Sequence, residues 1–132
     1  LLSICLYLQE HTDYAIVPLL TNKEQDTRTR IMQDLKPDRV IDLLKLSITQ
    51  FAASVACLKA LISVDTAGVH LAVAAGIPVL GLYQGFGTEA TLWKPGPLAT
   101  PNSQVFQEKG KVISDISYEA LEPQLIDFIT KI

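Results

Sequence analysis

Asp65-Thr66-Ala67-Gly68-Val69-His70 gathers into one short stretch the residue types that can hold an anion or a sugar. The apolar run ALISV at 60–64 reads as a buried strand just before it. A helix is predicted from Thr66 to Ala75, and Gly76 suits the left-handed position that follows a helix. The first amides of such a helix have no internal partner and carry the positive end of its dipole. A turn of small residues lets a phosphate approach them. Thr66 adds a hydroxyl donor, and His70 lies one turn in. Asp65 would repel a phosphate; its carboxylate suits sugar hydroxyls, or caps the helix. An ordinary helix start, with Asp65 or Thr66 as N-cap and His70 a partly buried helix residue, fits the same pattern. These residues alone leave both readings open.

The flanking sequence supplies the elements that must position this corner. Leu2 to Glu10 reads as a helix, and YAIVPLL at 14–20 as a short buried strand, with Pro18 poorly suited to a ladder. Thr21-Asn22-Lys23-Glu24 matches a capping box. It predicts a helix to about Leu35, with Ile31, Met32 and Leu35 inward, stopped at Lys36-Pro37. RVIDL at 39–43 reads as a strand. Ser47 is a reasonable N-cap for a helix whose stripe is Ile48, Phe51, Ala52, Val55 and Leu58. PVLGLY at 78–83 is a further strand, and residues 84–103 read as a long loop. Val105-Phe106 and Val112-Ile113 suit short edge strands. Tyr118 to Ile132 is a terminal helix, which Pro123 either kinks or opens near Glu122. Strands without polar alternation, interleaved with helices, imply a Rossmann-like three-layer α/β/α fold with a parallel sheet. Ligands in such folds bind beyond the carboxyl ends of the strands.

Composition narrows the function classes. The chain has 132 residues, 48% apolar and 19% charged, with a net charge of -3. That is one domain's length, 1–132, with enough apolar residues for a core. No basic field exists for nucleic acid. Two cysteines and two histidines write no zinc signature. Cys5 and Cys57 read as buried thiols of a reducing compartment, which places the protein in the cytoplasm. No stretch reads as a signal peptide or a membrane span. The chain opens at Leu1 rather than Met, and is expected to be a fragment of a longer protein.

The stretch from Leu43 to Phe86 resembles the donor-binding half of the lipopolysaccharide heptosyltransferases, glycosyltransferase family 9. The matching residues are Lys45, Leu46 and Ser47, then Ser63, Asp65, Thr66, His70, Leu71, Ala74, Ala75, Gly76 and Pro78. Weaker similarity includes Trp93-Lys94-Pro95-Gly96-Pro97 and the terminal helix. The resemblance implies the C-terminal half of a GT-B fold, in which two Rossmann-like domains face each other. It implies an inverting glycosyltransferase that binds a nucleotide sugar such as ADP-heptose and acts in lipopolysaccharide core or related glycan synthesis. No metal or other cofactor is implied. The catalytic base is expected in a missing N-terminal acceptor domain, leaving no catalytic residue in this chain and an inactive fragment. Any peripheral membrane association would run through the full-length protein.

Carried over residue by residue, the resemblance gives Thr66, Ala67 and Gly68 as backbone donors to the diphosphate, Asp65 as the ligand of sugar hydroxyls and His70 beside the phosphates. Leu46 lines the adenine pocket, with Lys45 next to it. Asp26, or its neighbour Glu24, reaches the ribose. Leu46 as plain core, and Asp26 as an acid favoured by a helix dipole, stay open. Two departures bear on the donor. Ala67 stands where the motif has glycine, with Gly68 one place later. Tyr83-Gln84-Gly85-Phe86 replaces an aromatic-Gly-Pro-Thr loop that helps hold the phosphates. The rival expectation is a non-catalytic ligand-binding or scaffold domain derived from a GT-B half.

Overall fold

The computed structural model describes residues 1–21, 23–43, 45–86 and 99–132. Asn22 of the capping box and the Trp93 to Pro97 loop lie outside them. The chain forms two compact units, Leu1–Ser47 and Ile48–Ile132.

In the first unit, helix α1 (Leu2–His11) packs with helix α2 (Gln25–Asp34). Cys5, Ile16, Ile31 and Leu35 are its buried core, with Leu2, Leu6 and Val40 against them. Met32, expected inward, is 36% exposed. It follows Ile31 by one residue, so the helix turns it about 100° from the buried stripe. The capping box forms by half. Glu24 Oε2 accepts from the Thr21 amide at 2.8 Å and from Thr21 Oγ1 at 2.8 Å. Glu24 itself is the N-cap, so α2 starts later than expected. Pro37 then opens a short 3-10 turn, Pro37–Arg39.

The strands expected at 14–20 and 39–43 reduce to one parallel bridge, Ile16 with Val40. The amides of Ile16 and Ile41 donate to the carbonyls of Arg39 and Ile16 at 2.8 and 2.9 Å. Pro18 has no amide to extend the ladder. The Arg39 guanidinium ties the segment instead, donating to the carbonyls of Thr12 and Tyr14 at 2.5 and 2.8 Å.

The second unit is built on a three-stranded parallel sheet, β1 (Leu61–Val64), β2 (Val79–Tyr83) and β3 (Gln104–Gln107), in the order β1-β2-β3. Leu61 pairs with Val79 and Val64 with Leu82, while Leu80 pairs with Gln104. Helix α3 (Ile48–Ala56) contributes Val55 to the core and packs on helix α4 (Ala67–Ala74). Ile48, the first residue of its predicted stripe, is 84% exposed. Cys5 is buried as expected, but Cys57, just past the end of α3, is exposed. Gly76 closes α4 with φ 74°. Its amide bonds to Val73 and that of Ile77 to Ala72, the paired bonds of a Schellman turn.

Val112-Ile113 forms no strand; Ile113–Asp115 is a 3-10 turn. The terminal helix α5 (Tyr118–Lys131) starts earlier than a Pro123-led helix would. Ser117 Oγ caps it, accepting from the Ala120 amide at 3.2 Å. Leu121, Leu125 and Phe128 face inward. Gln124 Nε2 donates to the Val105 carbonyl of β3 at 2.9 Å.

Beyond β2 the chain is fastened to the turn after β3. The Gly85 amide donates to the Lys111 carbonyl at 2.8 Å, and its carbonyl accepts from the Gly110 amide at 3.3 Å. A Cβ on Gly85 would lie 1.8 Å from the Glu108 carbonyl oxygen. That contact is backbone and cannot swing away. Gly85→Ala is therefore expected to cost about 1–3 kcal/mol, the range for overpacking, read as a lower urea midpoint. An unchanged midpoint would show that the 108–111 turn yields freely.

Candidate functional site

β1 ends at Val64, and Asp65 and Thr66 lead straight into α4. Thr66 is the N-cap residue, with extended backbone, φ -144° and ψ 168°. Its side chain makes no capping bond. Instead Thr66 Oγ1 lies 3.1 Å from Ser63 Oγ. Ser63 Oγ donates its only proton to the Val64 carbonyl at 2.9 Å. Thr66 is therefore the donor to Ser63, and its hydroxyl is spent on the strand.

This arrangement departs from both readings of the sequence. Thr66 does not cap the helix, and its hydroxyl is not held out as a donor to an anion. The Val69 amide folds back on the Thr66 carbonyl at 3.0 Å. The amides of Ala67 and Gly68, ahead of it, open the helix without a side-chain cap. They carry the partial positive charge of the helix start. Leaving out a cap forgoes about 1 kcal/mol.

Asp65, Thr66, Ala67 and His70 are exposed together at this corner. His70 stands four residues after Thr66, on the same side of α4. Gly68 is buried, and a Cβ there would meet Thr66 Oγ1 at 3.4 Å, Phe51 Cζ at 3.6 Å and Leu61 Cδ2 at 3.7 Å. The glycine thus seats the start of α4 on α3 and β1. Its backbone amide is its contribution to the anion seat.

The other predicted donor residues lie in the first unit. Glu24 stands at the N-cap position of α2, and its carboxylate is engaged by Thr21. Asp26 is exposed in the first turn of α2. Lys45 is exposed in the left-handed region, φ 50°, and Leu46 is half-buried.

Two further residues belong to the corner. Ser63 holds Thr66 off the helix; it was visible as a motif match with no role attached. Tyr83 ends β2, one place past the Leu82 that pairs with Val64. It is 1% exposed. Burial and the neighbouring Asp65 charge push its phenol above the ordinary tyrosine range.

A sequence profile of glycosyltransferase family 9 (heptosyltransferase) matches residues 5–114. The chain belongs to glycosyltransferase family 9. No match was found among curated proteins. Among solved structures, the E. coli heptosyltransferase WaaC with ADP superposes with a TM-score of 0.71 at 21% identity, over 98% of this chain and 38% of that one. The family 9 glycosyl transferase from Veillonella parvula DSM 2008 gives 0.66 at 18% identity, over 96% and 40%. The mixed helix–strand fold, with a three-stranded parallel sheet as expected, therefore matches part of the GT-B heptosyltransferase fold. This family 9 chain spans about two-fifths of the length of the structures it matches.

Gly68→Ala tests whether the buried glycine serves packing or backbone approach. The contacts a Cβ would make are ordinary, and alanine is the better helix former by up to about 1 kcal/mol. The expected outcome is an unchanged or higher thermal midpoint with unchanged nucleotide binding. A clear loss of stability would show that the α4 start has no room to spare.

Proposed function

We propose that this chain is the C-terminal, donor-binding half of a cytoplasmic inverting glycosyltransferase that takes an ADP-heptose-like nucleotide sugar, in lipopolysaccharide core or related glycan synthesis. The observation that carries this reading is the uncapped start of α4 at the carboxyl end of β1, with Asp65 exposed beside it. Backbone amides and a helix dipole suit a diphosphate. A carboxylate suits the hydroxyls of the attached sugar, since it accepts and cannot donate. Family membership and the ADP of the WaaC structure support the same ligand class.

In this reading the Ala67 and Gly68 amides hold the diphosphate, with His70 next to it. Negative charge grows on the leaving diphosphate as the sugar is transferred, and donors fixed in place beforehand stabilise it without reorganising. This reading calls on no metal, because backbone amides and a helix dipole meet the diphosphate charge. Asp26, rather than Glu24, is the candidate for the ribose, because Glu24 is already engaged by Thr21. Leu46 and Lys45 are assigned to the base. The general base that activates the acceptor hydroxyl belongs to a separate acceptor domain, so this chain alone binds without transferring. Among the described residues no helix is long and apolar enough to cross a membrane.

One observation favours a second reading, a ligand-binding domain without transferase activity. The Gly85 amide, in the loop that replaces the family's phosphate-holding segment, is spent on the Lys111 carbonyl. That amide is not offered to a phosphate.

A thermal-shift panel of ADP, GDP, UDP and their sugar conjugates tests the proposal. Stabilisation by ADP and its sugar conjugates above the others is expected, and no shift with any of them would overturn it. Asp65→Ala is expected to weaken sugar-nucleotide binding by about 1.5–3 kcal/mol, the worth of a charged hydrogen bond, and ADP binding much less. Calorimetry that finds equal losses for both ligands would reject the hydroxyl assignment.

A further inference from the structure

Tyr83 Oη is buried and has no hydrogen-bond partner among the described residues. An unpaired buried hydroxyl is costly and rare. This one stands at the functional corner. β1 and β2 run parallel with Val64 opposite Leu82, so Asp65, the first residue past β1, comes level with Tyr83, which ends β2 paired with Gln107 of β3. Neighbouring parallel strands lie about 4.8 Å apart. Tyr83 follows Gly81 on one face of β2, and Gly81 pairs with Ser63, whose side chain meets Thr66 at the start of α4. The phenol thus lies on the face that carries the anion seat. Asp65 is the complement: an exposed carboxylate beside it, with no hydrogen bond among the described residues.

From this juxtaposition we infer that Tyr83 is a positioning residue for Asp65, donating its O–H to the Asp65 carboxylate when a sugar covers that carboxylate. The inference rests on the sugar-nucleotide reading above. The physical reason is desolvation. Water satisfies Asp65 while it is exposed. A sugar seated on it removes that water, and the carboxylate then needs donors for its remaining lone pairs. The ligand hydroxyls supply some, and the buried phenol supplies one from the protein side. The bond is charge-assisted and grows stronger as water leaves. It also fixes the orientation in which Asp65 accepts from the sugar. Its raised pKa keeps Tyr83 protonated, and so a donor, throughout the neutral range.

Tyr83→Phe removes the hydroxyl and keeps the ring. A ring that served packing alone would leave binding untouched. The positioning role predicts three results together, read by calorimetry and thermal melting on the whole chain. The melting midpoint of the free variant stays level or rises, because an unsatisfied polar atom has been removed. Affinity for ADP-sugars falls about 10-fold, while affinity for ADP changes less than 2-fold. In an Asp65→Ala background the same change costs nothing further, since the group it positions is gone. Equal losses for ADP and ADP-sugars, an unchanged ADP-sugar affinity, or an undiminished effect in the Asp65→Ala background would each overturn the inference. Wild-type chain that binds neither ADP nor its sugar conjugates would instead overturn the nucleotide-sugar reading, and the role of Tyr83 with it.

Discussion

The parallel register of β1 on β2 is the constraint on which the second unit depends. Pairing Leu61 with Val79 and Val64 with Leu82 buries Val79 and Leu80 completely and brings the end of β1 within one residue of the end of β2. Side chains alternate across a strand, so a slip of one residue would exchange the faces of β2. Leu80 would change places with Gly81, and Tyr83 would leave the face it shares with Ser63. The site follows directly on this pairing: Asp65 and Thr66 are the first residues past the β1 ladder, and α4 begins at once.

Local chemistry at that junction is settled by competition for one hydroxyl. Thr66 occupies the position from which threonine normally caps a helix, yet its side chain turns back to Ser63. The strand gains a hydrogen bond and the helix start keeps its charge uncompensated. A site for anions needs this outcome, because a capped helix has already satisfied one of its free amides. The loss of stability is small beside the core formed by Val55, Val69, Leu80 and Phe128.

Much of this was legible in the residues. The run 60–64, the helix to Ala75 and the Gly76 turn follow from apolar patterning and from the left-handed freedom of glycine, and all three are present. The place of Asp65, Thr66 and His70 between strand and helix is legible too, and the fold exposes all three there. The strands expected at 14–20 and 39–43 were less legible. Their β-branched residues suit a sheet, but Pro18 lacks an amide, and only Ile16 and Val40 pair. The bond of the Thr66 hydroxyl is not legible in the sequence, because its partner lies three residues back on a strand, outside any capping pattern. Tyr83 heads the loop that departs from the family's pattern, yet nothing in the sequence marks its hydroxyl. Its chemistry comes from a strand pairing between residues distant in sequence, and an apolar run such as PVLGLY gives no sign that its last hydroxyl lacks a partner.

The link from α5 to β3 has a consequence of another kind. β3 ends the described sheet, and a terminal strand offers unpaired backbone groups to any extended chain that drifts alongside. Gln124 occupies the carbonyl of Val105, near the middle of that strand. A helix side chain bonded into the margin of a sheet blocks the continuous ladder that intermolecular strand addition requires. This amide guards against aggregation as well as joining helix to strand.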